Sequence, residues 1–284
     1  MGPISVTVRR GPLVEAEHRV HAVAVEGGRI ADSAGDPSLV TLYRSSSKPL
    51  QALPLARERD DVSDVELAIA CASHRAEPPQ LEAARSLLER APASEADLEL
   101  GPQEGRGPSL LSHNCSGKHA GFLAVCRVRG WPNEGYRLAS HPLQQLLLSE
   151  VAAAAEIREA DVVTAVDGCG VLTFGLTLER MAHSFSRLAE LDGGDRIVSA
   201  MAAHPELIGY DRGADLRPWL RHRGGTQPGE HSDGQRRPDH VPISPTRSSR
   251  LLRIGTVPKS SPRPRNDARA GRSARMLPSS ALSA

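Results

Sequence analysis

Apolar and polar residues alternate from Ile4 to Arg10, with Ile4, Val6 and Val8 on one side and Ser5, Thr7 and Arg9 on the other. A period of two predicts a half-buried strand. Gly11-Pro12 predicts a turn. Strand-like, β-branched texture resumes over residues 13–25, and Gly27-Gly28 predicts a hairpin turn into Arg29-Ile30-Ala31. After Asp36-Pro37, the run Leu39-Val40-Thr41-Leu42-Tyr43 predicts another strand. An N-terminal meander thus leads into Arg44-Ser45-Ser46-Ser47-Lys48.

Beyond Lys48 the period lengthens. Leu50, Leu53 and Leu55 recur at near-helical spacing, with Pro49 in a tolerated first-turn position and Pro54 predicted to kink or end the helix. Ser63 followed three residues later by Glu66 predicts a capped helix start before the apolar run at 67–72. An amphipathic helix is expected over 81–90, then a surface loop over 92–108 rich in Pro, Gly and Glu. A tight turn is expected around Asn114-Cys115-Ser116-Gly117, then a buried helix over 120–128. His141-Pro142 precedes a helix over 143–157. Residues 162–166 predict a short strand that runs into Asp167-Gly168-Cys169-Gly170. Helices are expected over 176–191 and 197–207. No internal repeat is visible.

Composition qualifies this pattern at the C-terminal end. The chain has 284 residues, 39% hydrophobic but only 3% aromatic, so a core must rest on Leu, Val, Ile and Ala. The formal net charge of +1 conceals an asymmetry. Residues 218–284 carry thirteen Lys/Arg against four Asp/Glu, net +9, and the first 217 residues are net −8. The same stretch holds nine prolines and one aromatic residue, Trp219, with no period of 2 or 3.6. It is expected to be a disordered basic tail, unable to bury enough apolar area to offset chain entropy. Lacking interleaved aromatics and a folded reader, it gives no ground for a nucleic-acid partner. No apolar run approaches a membrane span, and the N-terminus lacks a signal-peptide pattern. Four sparse cysteines suit reduced thiols, hence the cytoplasm.

Three stretches hold candidate chemistry. Ser45 and Lys48 stand three apart, so a helix beginning at Ser45 would place hydroxyl and amine on one face. That serine is either an ordinary helix cap or a nucleophile with its base. Burial, or a nearby cation such as Arg44, could hold the amine neutral. Cys115 and Cys169 both fall where elements end, as residues of built sites often do. Their spacing alone does not make a zinc motif, and packing is the alternative use. His74 and His119 are loop histidines by pattern. Cys71 and Cys126 fall in apolar runs and read as core.

Four stretches taken together resemble one family. They are Tyr43-Arg44-Ser45-Ser46-Ser47-Lys48-Pro49-Leu50-Gln51-Ala52-Leu53-Pro54, Ala70-Cys71-Ala72-Ser73-His74, Asn114-Cys115-Ser116-Gly117-Lys118-His119-Ala120-Gly121 and Asp167-Gly168-Cys169-Gly170-Val171. In this order the chain resembles the asparaginase II family, bacterial L-asparaginases with a serine-β-lactamase-like fold, over roughly its first three quarters. His141-Pro142 and His204-Pro205-Glu206-Leu207-Ile208-Gly209 add to the likeness. The resemblance implies hydrolysis of L-asparagine to L-aspartate and ammonia. It places the nucleophile on Ser45, its base on Lys48, a second site serine on Ser73 and substrate contacts on Arg44 and Asp167. It also implies a zinc ion held by Cys115, Lys118 and Cys169.

The implied fold is α+β (α/β), a central, mainly antiparallel sheet flanked by helices. Residues 1–217 form the catalytic domain, and a homodimer is a further expectation. Leu172 stands where the family tends to have proline. Past residue 217 the family pattern stops, and the sheet is expected to be incomplete there. The Arg-Pro-Ser-Gly-Ala texture of 218–284 is that of out-of-frame reading of GC-rich DNA, so another frame past codon 217 should encode a family-like C-terminus. Translating the other two frames and finding none would defeat that hypothesis. Two alternatives are a different S-x-x-K serine hydrolase, although the accompanying K-T-G motif is absent, and an inactive asparaginase-like binding protein.

Overall fold

The computed structural model describes residues 1–101 and 103–208, with two short strands at Leu251–Leu252 and Thr256–Val257. The fold is α+β. The chain begins with two hairpins, β1 (Ile4–Arg10) with β2 (Leu13–Val20), and β3 (Ala22–Glu26) with β4 (Arg29–Ala34). The strand texture of 13–25 is therefore two strands, broken at His21. The half-buried β1 expected from alternation is exposed on both faces, with Ile4, Val6 and Val8 all 41% exposed or more. Alternation reports which side chains share a face, not whether anything covers that face. In contrast, β3 is buried along Ala22 to Val25.

A third sheet positions the candidate site. β5 (Val40–Leu42) pairs antiparallel with β7 (Leu172–Thr177), which pairs antiparallel with β6 (Val163–Val166). β7 was not expected, since no strand was read over 172–175 and residues from 176 onward read as helix. It is buried along nearly its whole length, so neither face alternates. Among the described residues the strands make three antiparallel sheets of three strands, not one central sheet. The strands β8 (Leu251–Leu252) and β9 (Thr256–Val257) pair with β3 and β2. The expected disorder of the rest of the tail, and the missing C-terminal strands, lie outside the described residues.

A 3₁₀ turn at Arg44–Ser47 follows β5 and passes into α1 (Lys48–Gln51) and α2 (Leu53–Glu58). α3 (Asp64–Cys71) has the expected cap: Ser63 Oγ accepts from the Glu66 amide and Glu66 reaches back to the Ser63 amide. α4 (Pro78–Arg90) and α5 (Ser116–Arg129) pack against α3. α5 begins four residues earlier than the apolar run suggested, so Lys118 and His119 lie in its first turns. α6 (Pro142–Ala155) takes its cap from His141, whose Nδ1 accepts the Leu143 amide at 3.1 Å. The helix expected over 176–191 is α7 (Leu178–Ser186) plus a 3₁₀ turn, and that over 197–207 is α8 (Gly194–Ala203) and α9 (Pro205–Ile208), divided at Pro205. The core is mostly aliphatic, as a chain so poor in aromatics requires. Leu50, Leu67, Leu87, Leu123, Leu143 and Leu147 are fully enclosed.

Candidate active site

Antiparallel pairing brings three loops together. Leu42 at the end of β5 lies opposite Gly175 of β7, and the Tyr43 amide donates to the Phe174 carbonyl at 2.8 Å. Arg44 is thereby set beside the turn that joins β6 to β7. That turn closes through Asp167 N–H to Val171 O and Gly170 N–H to Asp167 O, with Gly170 at φ +86°. Arg44 Nε meets Asp167 Oδ1 at 2.7 Å, and the Arg44 amide donates to Thr173 Oγ1 at 3.2 Å. Arg44 has φ +51°, a conformation costly for a residue with a side chain. The resulting backbone reversal immediately precedes Ser45.

From Ser45 the chain turns inward. Ser45 is exposed, Ser47 and Lys48 are buried, and Lys48 is 1% exposed. The Lys48 amine crosses to the loop after α3. It contacts the Ala72 carbonyl at 2.6 Å, Ser73 Oγ at 2.6 Å and the Asn114 carbonyl at 3.3 Å. Ser45 is not among its hydrogen-bond partners. Burial lowers the Lys48 pKa to about 8, with nearby Cys115 and Lys118 acting in opposite directions. The two carbonyls can only accept. In the neutral amine they take both N–H groups, and the lone pair is left to the Ser73 hydroxyl.

The loop carrying Ser73 is fixed to the start of α5. The His74 amide donates to the Asn114 carbonyl at 3.2 Å, and His74 Nε2 lies 2.8 Å from Ser116 Oγ. His74 Nδ1 accepts the Ala76 amide, so the proton is on Nε2 and is donated to Ser116, which donates in turn to the Leu111 carbonyl. Burial lowers the His74 pKa to about 4, helped by the Lys48 charge. The ring is neutral and structural, and it does not serve Ser45 as a base.

The third group is sulfur and nitrogen. Cys115 stands at the N-terminus of α5 and Cys169 in the β6–β7 turn, both buried. Interaction with the neighbouring Cys169 thiol lowers the Cys115 pKa to about 5, with help from the Lys48 and Lys118 charges, and the same interaction together with burial pushes the Cys169 thiol up. A helix N-terminus also favours a thiolate. Lys118 Nζ lies 3.2 Å from Cys169 Sγ. Among the described residues no three His, Cys, Asp or Glu side chains converge as a metal-binding group. The donor set here counts a lysine amine instead. Two cysteine sulfurs and an amine nitrogen, all withdrawn from water, make an S/N donor set that fits a zinc ion once the thiols and the amine have lost their protons.

The structure therefore gathers Lys48 with Ser73, Arg44 with Asp167, and Lys118 with Cys115 and Cys169. Lys48 beside Cys115 joins the first group to the third. Ser45 alone stands apart from its expected partner. Sequence patterning missed the carbonyls of Ala72 and Asn114, which carry no side-chain signal, and Tyr136, whose hydroxyl is 2.6 Å from His119 Nδ1. A surface cavity of about 360 Å³ lies at Arg127, Gly130, Trp131, Pro132 and Asn133, and none of the candidate residues lines it.

Comparison with known families gives a match to the L-asparaginase II model over residues 6–218. A search of curated proteins gives no match. The family match spans every candidate residue named above.

Proposed function

The chain belongs to the L-asparaginase II family, and from that premise we propose that it hydrolyses L-asparagine to L-aspartate and ammonia on a serine-β-lactamase-like scaffold. One observation carries the reading: a fully buried lysine amine, its pKa lowered to about 8, held 2.6 Å from a serine hydroxyl. A neutral amine in that place can take a proton from a nucleophile and return it to a leaving amine.

In this reading Ser45, exposed beside the Arg44 reversal, attacks the side-chain amide carbon of asparagine. Its proton reaches Lys48 through the Ser73 hydroxyl, and Lys48 returns it to the departing nitrogen, which leaves as ammonia. Water then attacks the seryl ester, and aspartate departs as Ser45 regains its proton. Arg44, whose guanidinium keeps donors free of Asp167, is suited to the substrate carboxylate. Cys115, Lys118 and Cys169 would hold a zinc ion, which supplies a positive centre able to anchor or polarise a bound group. Four free, buried cysteines suit a cytoplasmic protein.

A second assignment has a specific observation behind it. Ser73, not Ser45, touches Lys48, so Ser73 itself could attack. Ammonia release by Ser45→Ala and Ser73→Ala separates the two. With Ser45 as nucleophile, Ser45→Ala loses roughly 10³-fold or more in kcat, and Ser73→Ala keeps measurable turnover. The reverse order assigns the attack to Ser73. Near-native rates in both variants would remove the serine mechanism altogether.

A further inference from the structure

The surface loop before α5 has no task in the mechanism above, yet two of its side chains reach the loops that hold Lys48. Gln103 to Arg106 form one tight turn, closed by the Arg106 amide donating to the Gln103 carbonyl at 3.1 Å. Gly105 takes the third position of that turn at φ +77°, where a side chain would be strained. From the first position, Gln103 Oε1 accepts the Asn114 amide at 2.9 Å. From the last, Arg106 Nη1 donates to the His74 carbonyl at 2.7 Å.

Both targets adjoin the partners of the Lys48 amine. One loop presents the Ala72 carbonyl and the Ser73 hydroxyl to it, and the other presents the Asn114 carbonyl. A backbone bond ties the loops directly, from the His74 amide to the Asn114 carbonyl at 3.2 Å. That contact and the 3.3 Å contact of Lys48 to the same carbonyl are at the long end for hydrogen bonds, so a small parting of the loops would break both. The 103–106 turn ties the same two loops a second time, with shorter bonds. We propose that this turn is a clasp and that Gln103 and Arg106 are positioning residues, holding the two loops at the separation at which the Lys48 amine meets Ser73 Oγ.

Arg106 has a competing role. It is partly buried and forms no ion pair among the described residues, and a guanidinium has several N–H groups to give, so it could take the substrate carboxylate instead. That role leaves Gln103 unexplained. The clasp accounts for both side chains: an acceptor at one end of the turn and a donor at the other, each matched to a backbone group of a different loop. The two roles also act at different stages. A carboxylate ligand is felt when substrate binds, and a clasp is felt in the chemical step and exists without substrate. The kinetic consequence rests on the hydrolysis reading above; the clasp itself does not.

Steady-state kinetics with L-asparagine and amide hydrogen exchange test the clasp together. Arg106→Met should lower kcat about 10- to 100-fold, as displacing a reacting group by about 1 Å does, and should leave KM within about twofold. Arg106→Lys, which keeps a donor for the His74 carbonyl, should recover most of the loss. Gln103→Leu should act in the same direction, and Gln103→Glu, which keeps the acceptor, should recover it. Without substrate, the Asn114 amide should exchange faster in Gln103→Leu, and the His74 amide faster in Arg106→Met, each by more than any change in global stability accounts for. A raised KM with native kcat in Arg106→Met overturns the proposal in favour of a carboxylate ligand, and native kcat with unaltered exchange overturns it outright. Should Arg106→Met fail to fold, the two Gln103 variants decide by the same criteria. If the unaltered chain releases no ammonia, the hydrolysis reading fails, and exchange alone decides: unchanged Asn114 protection in Gln103→Leu removes the clasp.

Discussion

Lys48 and His74 are both titratable, both 1% exposed, and burial lowers the pKa of each, to about 8 for Lys48 and to about 4 for His74. For His74 the folded pKa of about 4 lies below the ordinary value of 6.5. The unfolded chain then binds the extra proton between those values. The stabilisation is complete above about pH 6.5 and is lost as the pH falls towards 4, by up to about 1.4 kcal/mol per unit. Denaturant unfolding across that range should show the slope, and His74→Gln should reduce it. An unaltered slope would mean that His74 is protonated in the native state. Lys48 shows how far a motif can be read. Three-residue spacing finds the serine and the lysine but not where the amine points. That direction is set by Ala72, Ser73 and Asn114, which are 24 to 66 positions away in the chain.

The arrangement depends on how α5 meets α3. Gly117 sits in the first turn of α5, and a Cβ there would run into the Ile69 carbonyl, which is backbone and cannot swing aside. Gly117→Ala should cost about 1–3 kcal/mol, read as a lower denaturant midpoint, and should move Lys118 away from Cys169. A variant as stable as the unaltered chain would show that the two helices do not approach so closely. α4 was legible in advance because one stripe, Leu81, Ala84, Leu87 and Leu88, packs on the core, and the start of α3 was legible in its Ser63–Glu66 cap. The start of α5 was not: it begins at Ser116-Gly117, residues that read as a turn. β7 was not legible at all. Leu172, Thr173, Phe174 and Leu176 are buried on both sides of the strand, and Gly175 in their midst suggests a break. Without β7 the sequence cannot show that β5 ends beside the Asp167 turn, and the Arg44–Asp167 pair follows from that pairing.

In the molecule as a whole, three chain segments far apart in sequence converge on Lys48, Cys115 and Cys169. If zinc joins the last two with Lys118, its binding energy adds to folding energy. Added zinc should then raise the thermal midpoint, a chelator should reverse the rise, and Cys169→Ser should show neither effect. A midpoint indifferent to zinc in the unaltered chain would remove the metal from the scheme. Among the described residues no helix is long and apolar enough to cross a membrane. The most direct trial is the pH dependence of kcat/KM for ammonia release from L-asparagine. A neutral Lys48 base predicts a rising limb with an apparent pKa near 8, and Lys48→Met should abolish turnover. A flat profile through that range, or a Lys48→Met variant that still hydrolyses asparagine at the native rate, would contradict it.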